Sequence, residues 1–304
     1  MAVSPVLRVA ADDIKPAPGR LTNAGLISSI CGQMRILSDS ETRDALQRLD
    51  LDLDRATGSG FAFADRAPQT FYGWHAHGYH QLLYARHGTT QLETAQARFL
   101  LPAERAAWIP AGLRHRTLIA DGEGVSLYFA PETIAAPGDR VRILVAPALM
   151  REMILHALRW PRAASVADPL AQGYFALLAQ LCGDWLGDEL PFRLPRAGHP
   201  AIARAMDAAV ADPGAVTLAT AVAAARVSER TFRRLFARET GMTWQAWLNQ
   251  ARMLAAMGRL AAGARVTDVA IEVGFASLSA FARAFATLTG ESPARYRRRV
   301  RGRS

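Results

Sequence analysis

FRRLFARETG, from Phe232 to Gly241, returns as FARAFATLTG, from Phe281 to Gly290, and this internal repeat decides how the C-terminal third of the chain is read. In each copy two phenylalanines stand four residues apart, Phe232 with Phe236 and Phe281 with Phe285, the spacing of neighbours on one buried helix face. Each copy ends on a glycine, Gly241 or Gly290, where a helix terminates through a left-handed residue. A serine precedes each, Ser228 or Ser277, and can cap the helix N-terminus. A shorter apolar helix lies upstream, TLATAVAAA before Val227-Ser228 and TDVAIEV before Gly274-Phe275-Ala276-Ser277. Helix, tight turn and capped second helix make a helix-turn-helix unit, so the chain carries two.

Between the units, the stretch from Thr243 to Leu260 keeps Trp247, Met253, Leu254, Met257 and Leu260 at helical spacing. It predicts a stiff rod about 27 Å long at 1.5 Å per residue. Such a spacer can set two recognition helices into successive major grooves on one face of double-stranded DNA, about 34 Å apart. A helical repeat used only for protein contact is the weaker alternative, because solenoids generally need three or more repeats. On the first recognition helix Arg230, Thr231, Arg233 and Arg234 stand clear of the phenylalanine face, next to the cap Ser228. Arginine can donate two hydrogen bonds to guanine or grip phosphate. The corresponding set on the second helix is Leu278, Ser279, Ala282 and Arg283 beside Ser277, a poorer collection of donors. The first helix is therefore expected to read bases and the second to position the protein on phosphates. At the end of the chain Ser292 caps, Pro293 starts a last short helix, and RYRRRVRGR forms a basic tail suited to touching phosphates.

Charge agrees with this reading. The chain has 304 residues, half of them apolar, and a net charge of +9. From Arg196 to Ser304 there are 17 arginines against 7 acidic residues, while the first 195 residues hold 19 basic and 20 acidic ones. A basic excess confined to one region is the electrostatic footprint of a nucleic-acid binder. Lys15 is the sole lysine, so the arginine bias itself carries little weight. Cys31 and Cys182 are far apart and form no C-x-x-C, which speaks against a disulfide scaffold or thiol redox site and for two buried small hydrophobes. No uninterrupted apolar run is long enough for a membrane span, and no signal-peptide pattern is read at the start, so no membrane partner is expected and the cytoplasm is the expected compartment.

Toward the N-terminus, residues 1–58 mix Pro, Gly and Asp with one amphipathic stretch from Glu41 to Leu53 and read as an extension, partly disordered. Residues 59–135 alternate apolar and polar in short runs such as QLLYAR, TTQLET, AAWI and GVSLYF. Turn signals at His87-Gly88, Ala111-Gly112 and Asp121-Gly122 divide them. That many short strands need closure or a second sheet to hide their edges, which predicts a small β-barrel or jelly roll. Residues 136–195 turn helical. Leu149, Met153, Ile154 and Leu158 fall on one face, and Asp168 caps a second helix with Pro169 at its first position. Leu170, Tyr174, Leu177, Leu178, Leu181 and Trp185 form an apolar stripe that either covers the β unit or seals a homodimer. Pro191, Pro195, Gly198 and Pro200 read as a linker into the DNA-binding region, 196–304. The fold class expected is thus α+β and multidomain: a β-barrel, a helical connector and an all-α domain with two helix-turn-helix units.

VTDVAIEVGFASLSAFARAFATLTGESPARYR, from Val266 to Arg297, resembles the signature of the AraC/XylS family of transcription regulators, and about 100 C-terminal residues share the likeness. The first unit departs from the family pattern, with Val222 where Ala is usual and Arg226 where the turn usually has Gly. Ala221, one step earlier, is placed to fill the tight slot. A non-glycine residue at a left-handed position is strained, so this turn is expected to be rebuilt or shifted in register. WHAHGYHQLLYARHG and LPAERAAWIPAGLRH look like the cupin-type sensor of that family. The resemblance implies an effector in the β unit, pairing of subunits through the following helices, and contact with RNA polymerase if the protein activates.

His75-x-His77-x-x-x-Gln81, followed by Pro110-x-Gly112-x-x-His115, resembles the two cupin metal motifs. Two histidines at i, i+2 of one strand face the same side. With His115 they offer a facial set for a divalent transition metal, and Gln81 stands where metal cupins usually have Glu. The effector is accordingly a metal or a small molecule held by His75, His77, Gln81 and His115. His80 is expected to face the other way. Tyr84, Trp108 and Tyr128 suggest room for an aromatic or apolar ligand. The leading reading is a ligand-responsive, sequence-specific DNA-binding regulator that is not an enzyme. The alternative is a metal-dependent cupin enzyme with an accessory DNA-binding domain, against which the missing Glu counts.

Overall fold

Two strands of fifteen residues each, β4 (His80–Thr94) and β7 (His115–Phe129), pair along their whole length and organise the N-terminal half. The computed structural model describes residues 58–65, 69–135 and 137–301, with 35–36, 40–42 and 44; most of the proposed extension 1–58, including Cys31, lies outside the described residues. The register of β4 on β7 shifts around His87, between Ala85 and Thr89. His87-Gly88 is therefore a bulge with Gly88 left-handed, not a turn, and β7 runs through Asp121-Gly122 without interruption. A bulge adds a residue to one strand and bends it. The bend divides the pair into two half-sheets.

In the first half-sheet, residues 115–120 of β7 and 89–94 of β4 are flanked by β3 (Gln69–His75), with β1 (Arg35–Ile36) parallel to it. On the other side lie β5 (Ala97–Pro102) and β10 (Arg193–Pro195). In the second, residues 124–129 of β7 and 80–85 of β4 are flanked by β2 (Gly60–Asp65). Opposite it lie β6 (Arg105–Ile109), β8 (Arg142–Val145) and β9 (Glu189–Leu190). The double-sheet, cupin-like barrel expected from the strand pattern is thus present. It reaches past residue 135, and the stretch containing Pro191 and Pro195, read as linker, supplies β10. Proline is tolerated there because the strand is short and pairs on one side only.

The outer face of the second half-sheet is covered by the connector helices α1 (Ala148–Ala157), α2 (Arg162–Ala167) and α3 (Pro169–Trp185). Leu82, Tyr84, Trp108, Leu127 and Phe129 pack there against Ile154, Phe175 and Leu178. Asp168 caps α3 by accepting from Leu170 N at 2.9 Å, with Pro169 at the first turn, as the sequence predicts. The stripe on α3 sorts differently. Ala171, Phe175, Leu178, Ala179 and Cys182 face the sheet, whereas Leu170 and Leu177 are exposed. On α1, Met150 and Ile154 are buried and Leu149 is out in solvent, so the face read from Leu149 is turned by about one residue. Side chains on a helix lean over the preceding turn, and a broad apolar stripe does not fix which edge meets the sheet.

The C-terminal region is all helical: α4 (Pro200–Ala211), α5 (Leu218–Ala225), α6 (Glu229–Thr240), α7 (Trp244–Ala261), α8 (Val266–Glu272), α9 (Leu278–Thr289) and α10 (Pro293–Arg301). Phe232, Phe236, Phe281 and Phe285 are fully buried, and every one of Trp247, Met253, Leu254, Met257 and Leu260 on α7 is buried. The core of this region is continuous with that of the first half-sheet. Trp247 Nε1 donates to Pro195 O at 2.8 Å, and Arg299 of α10 donates to Ala103 O and pairs with Glu104 on the β5–β6 hairpin.

Candidate effector and DNA-binding sites

Recognition helices α6 and α9 are built alike. Ser228 Oγ accepts from Thr231 N at 3.3 Å and Ser277 Oγ from Ala280 N at 3.2 Å, which satisfies one orphan donor at each N-terminus. Gly241 and Gly290 end them in the left-handed conformation, with φ of 69° and 76°. Helix α7, eighteen residues long, joins the two units as the expected rod. The exposed side chains match the sequence reading: Ser228, Arg230, Arg233 and Arg234 on α6 are exposed and Thr231 is half-buried. On α9, Ser277, Leu278, Ser279 and Arg283 are exposed and Ala282 is half-buried. Arg233 is held by Glu229, one turn earlier, with Nη2 2.8 Å from the carboxylate.

The turns differ. Arg226 closes α5 in the left-handed conformation at φ 57°, ψ 42°, with its N–H bonded to Val222 O and Ala223 O. The turn in which strain suggested a rebuild is therefore retained, with the arginine carrying the strain. Ala221 is fully buried at the packing slot. In the second unit the left-handed residue is Gly274, one residue farther from its capping serine. A Cβ at Gly274 would lie 2.7 Å from Gly214 O and 3.0 Å from Gly214 Cα. There the glycine is required by backbone contact as well as by its dihedral angle.

Inside the barrel, His75, His77 and His115 converge, with one ring nitrogen from each within 4.8 Å of the others. The structure brings all three together, although β3 ends at His75 and His77 lies in the loop beyond it, not on the same strand. Each Nδ1 sits 2.8 Å from a backbone carbonyl, of Gly73, Tyr79 and Leu113 respectively. A carbonyl only accepts, so each Nδ1 carries the proton and each Nε2 presents a lone pair to the cluster. Gln81 Oε1 lies 3.0 Å from His77 Nε2, and Gln81 Nε2 donates to Ser126 Oγ at 2.8 Å. Two acceptors at that separation are reconciled by turning the amide over or by a cation between them. Burial, with His75 nearby, lowers His77 to about 4, and burial with the same neighbours lowers His115 well below the ordinary range. His77 and His115 are therefore neutral near neutral pH, the form that ligates metal.

His80 lies on the other side of β4, as expected, but it is not solvated. It is buried against Trp108, and its Nδ1 accepts from Ala111 N at 2.9 Å. Tyr128 lines the histidine pocket, whereas Tyr84 and Trp108 belong to the core beneath the connector helices. Sequence reasoning missed Ser126, which orients Gln81, and Tyr72, whose hydroxyl donates to Asp65 at 2.5 Å across the pocket and which burial and that carboxylate push far up in pKa. Their only signal is their alternation with Leu127 and Phe71.

A larger opening lies elsewhere. Between the outer face of the first half-sheet and the DNA-binding region is an open-mouthed cleft, larger than the histidine pocket. Along β7 the two sites take alternate residues: His115, Thr117 and Ile119 face the pocket, Arg116 and Leu118 the cleft. At the cleft the Glu93 carboxylate pairs with Arg98 at 3.2 Å and with Arg116 and Arg196. Burial would raise this carboxyl, but the three guanidiniums outweigh it and hold it below its ordinary range.

Comparison with known proteins matches both halves. Residues 57–186 fit the model of the AraC-like ligand binding domain, and residues 221–299 fit that of a helix-turn-helix domain. The chain is similar to the HTH-type transcriptional regulator NimR of Escherichia coli, 29% identical over 232 residues, 73% of this chain and 81% of that protein. It is 43% identical over 84 residues to the transcriptional activator NphR of a Rhodococcus species, a match spanning 27% of this chain and 25% of the other. A crystal structure of ToxT from Vibrio cholerae aligns over 82% of this chain and 100% of its own at 12% identity, with a TM-score of 0.35. No helix among the described residues is long and apolar enough to cross a membrane.

Proposed function

We propose, from the premise that this chain belongs to the AraC family of transcription regulators, that α6 and α9 enter successive major grooves while the barrel senses the effector. The observation that carries this reading is the repeated capped helix on either side of the rod α7, with its phenylalanines buried and its polar face free. Ser228, Arg230, Thr231, Arg233 and Arg234 read bases. Ser277, Leu278, Ser279, Ala282 and Arg283 seat the second unit, Arg283 on phosphate. Electrophoretic retardation of the full chain on DNA upstream of its own and neighbouring genes tests this. A sequence-selective, salt-sensitive shift is expected, and no retardation of any duplex at low salt would end the reading.

His75, His77 and His115, with Gln81 beside them, would hold a divalent transition metal as effector or as a structural ion. The supporting observation is that all three Nδ1 groups are tied to carbonyls, which fixes the tautomer and aims Nε2 inward, as outer-sphere partners of metal-bound histidines do. Zinc should raise the melting temperature of chelator-treated protein near neutrality, and the gain should persist into mildly acidic buffer and fall away only towards pH of about 4, where His77 takes up a proton. An unchanged melting curve at neutrality would retire the metal. The exposed stripe of Leu170 and Leu177, with half-buried Tyr174 and Leu181 between and after them, is the seam of a homodimer. As a regulator of DNA the protein works in the cytoplasm, and RNA polymerase joins the complex if it activates. None of these roles requires a catalytic step.

A further inference from the structure

We propose that Arg226, in the turn between α5 and α6, is a further DNA contact that grips a backbone phosphate, a role Gly274 of the second unit cannot share. Arg226 is one of two non-glycine residues with positive φ among the described residues, at φ 57°, ψ 42°. The left-handed region suits glycine, and a residue bearing a Cβ persists there only where its surroundings hold it. What holds it is visible. The Arg226 N–H is bonded to Val222 O and Ala223 O, and from α4 the guanidinium of Arg204 takes up the next two carbonyls, with Nε 3.2 Å from Ala224 O and Nη2 3.1 Å from Ala225 O. The last four carbonyls of α5 are thereby satisfied, and the root of the Arg226 side chain is fixed.

The side chain itself is unclaimed by the fold. It is exposed and, among the described residues, makes no hydrogen bond or ion pair. The nearest acid along the chain, Glu229, is engaged by Arg233. Two guanidiniums thus stand at one turn, and the charge of Arg226 is left for an anion from outside. Its place in the unit selects that anion. In a helix-turn-helix the first helix crosses the DNA backbone and the second enters the major groove by its N-terminal residues, so the residue joining them passes over the groove's rim of phosphates. Arg226 stands two residues before the cap Ser228 and four before Arg230. In the second unit the left-handed residue is Gly274, where a Cβ would lie 2.7 Å from Gly214 O, so no side chain can serve. Because the anion is that of a duplex, the role rests on the regulator reading.

Titrations of the full chain with a preferred upstream duplex and with a scrambled one, at several salt concentrations, test the contact in Arg226→Gly, Arg226→Asn and Arg226→Lys. Glycine and asparagine accept the left-handed conformation and remove the charge, whereas lysine keeps the charge. The first two should weaken both duplexes several-fold alike and lower the slope of log affinity against log salt by about 0.9, the share of one phosphate. Their melting temperatures should stand at or above that of the wild type. Arg226→Lys should retain the slope. Wild-type affinity and slope in both uncharged variants would overturn the contact, as would an equal loss in Arg226→Lys, which places the effect in the backbone. A loss confined to the preferred duplex would overturn the phosphate in favour of a base. Depressed melting in both uncharged variants would assign the side chain to the fold and sink the contact as well. A wild-type chain that retards no duplex at low salt refutes the regulator reading itself, whereas wild-type retardation with unaltered variants strikes only Arg226.

Discussion

The two helix-turn-helix units differ most where they look most alike, at the left-handed residue that ends the first helix of each. In the second unit Gly274 meets the backbone of Gly214, and a side chain has nowhere to go. In the first unit the left-handed residue is Arg226, which also has a positive φ, of 57°. Handedness alone is a modest cost that an arginine can bear, about 1–2 kcal/mol. Close backbone contact is what forbids a side chain. The interiors of the units repeat, and their turns and exposed surfaces differ.

The largest effects should fall on the shared interior. Phe232→Ala and Phe281→Ala should each cost about 3–5 kcal/mol in denaturant unfolding, because both rings are fully buried. A large inequality between them would mean that the units are not equivalent in packing. Next, Gly274→Ala should cost on the order of 2 kcal/mol or more, from overpacking against Gly214 together with the positive φ. A near-neutral result in calorimetry would show that Gly214 yields and that the contrast with Arg226 is not steric.

On the outer surface, Arg230→Ala or Arg233→Ala should weaken binding to the preferred DNA sequence by about 1–3 kcal/mol and relax the sequence preference. Arg283→Ala should weaken all duplexes alike and reduce the salt slope by about one. Titrations at several salt concentrations distinguish these, and equal loss of selectivity in both would erase the division of labour. The smallest effect is expected at the turn itself. Arg226→Gly should raise stability by about 1 kcal/mol by removing the strained conformation, less the added freedom of the unfolded chain. Destabilisation would mean that the arginine side chain contributes more to the fold than its backbone costs.

Much of this was legible beforehand because helices report themselves locally. Phe232 and Phe281 with their capping serines and closing glycines place α6 and α9 to the residue, since cap and periodicity agree. The histidines were found by type and spacing alone. What they rest on was not legible, since the carbonyls of Gly73, Tyr79 and Leu113 carry no side-chain signal. Strand boundaries suffered from a different ambiguity. His87-Gly88 reads the same whether the chain reverses or merely bulges, and only the partner strand decides. Pro191 and Pro195 suggested a linker because proline is rare inside sheets, yet an edge admits it. The exposed Leu170 and Leu177 show the limit of a helical wheel, which gives the width of an apolar face but not its centre. The cleft had no sequence signature, because its walls are drawn from segments far apart in the chain.

Strand β7 gives each of the two cavities every second side chain. Between His115 and Ile119, then, the parity of a mutated position foretells its phenotype. Odd-numbered changes should alter the response to metal, and even-numbered ones, which face the cleft beside the rod α7, should leave it intact. A single inserted residue would swap the assignments of all that follow it, so a screen for variants blind to metal should yield point substitutions of odd parity together with single-residue insertions.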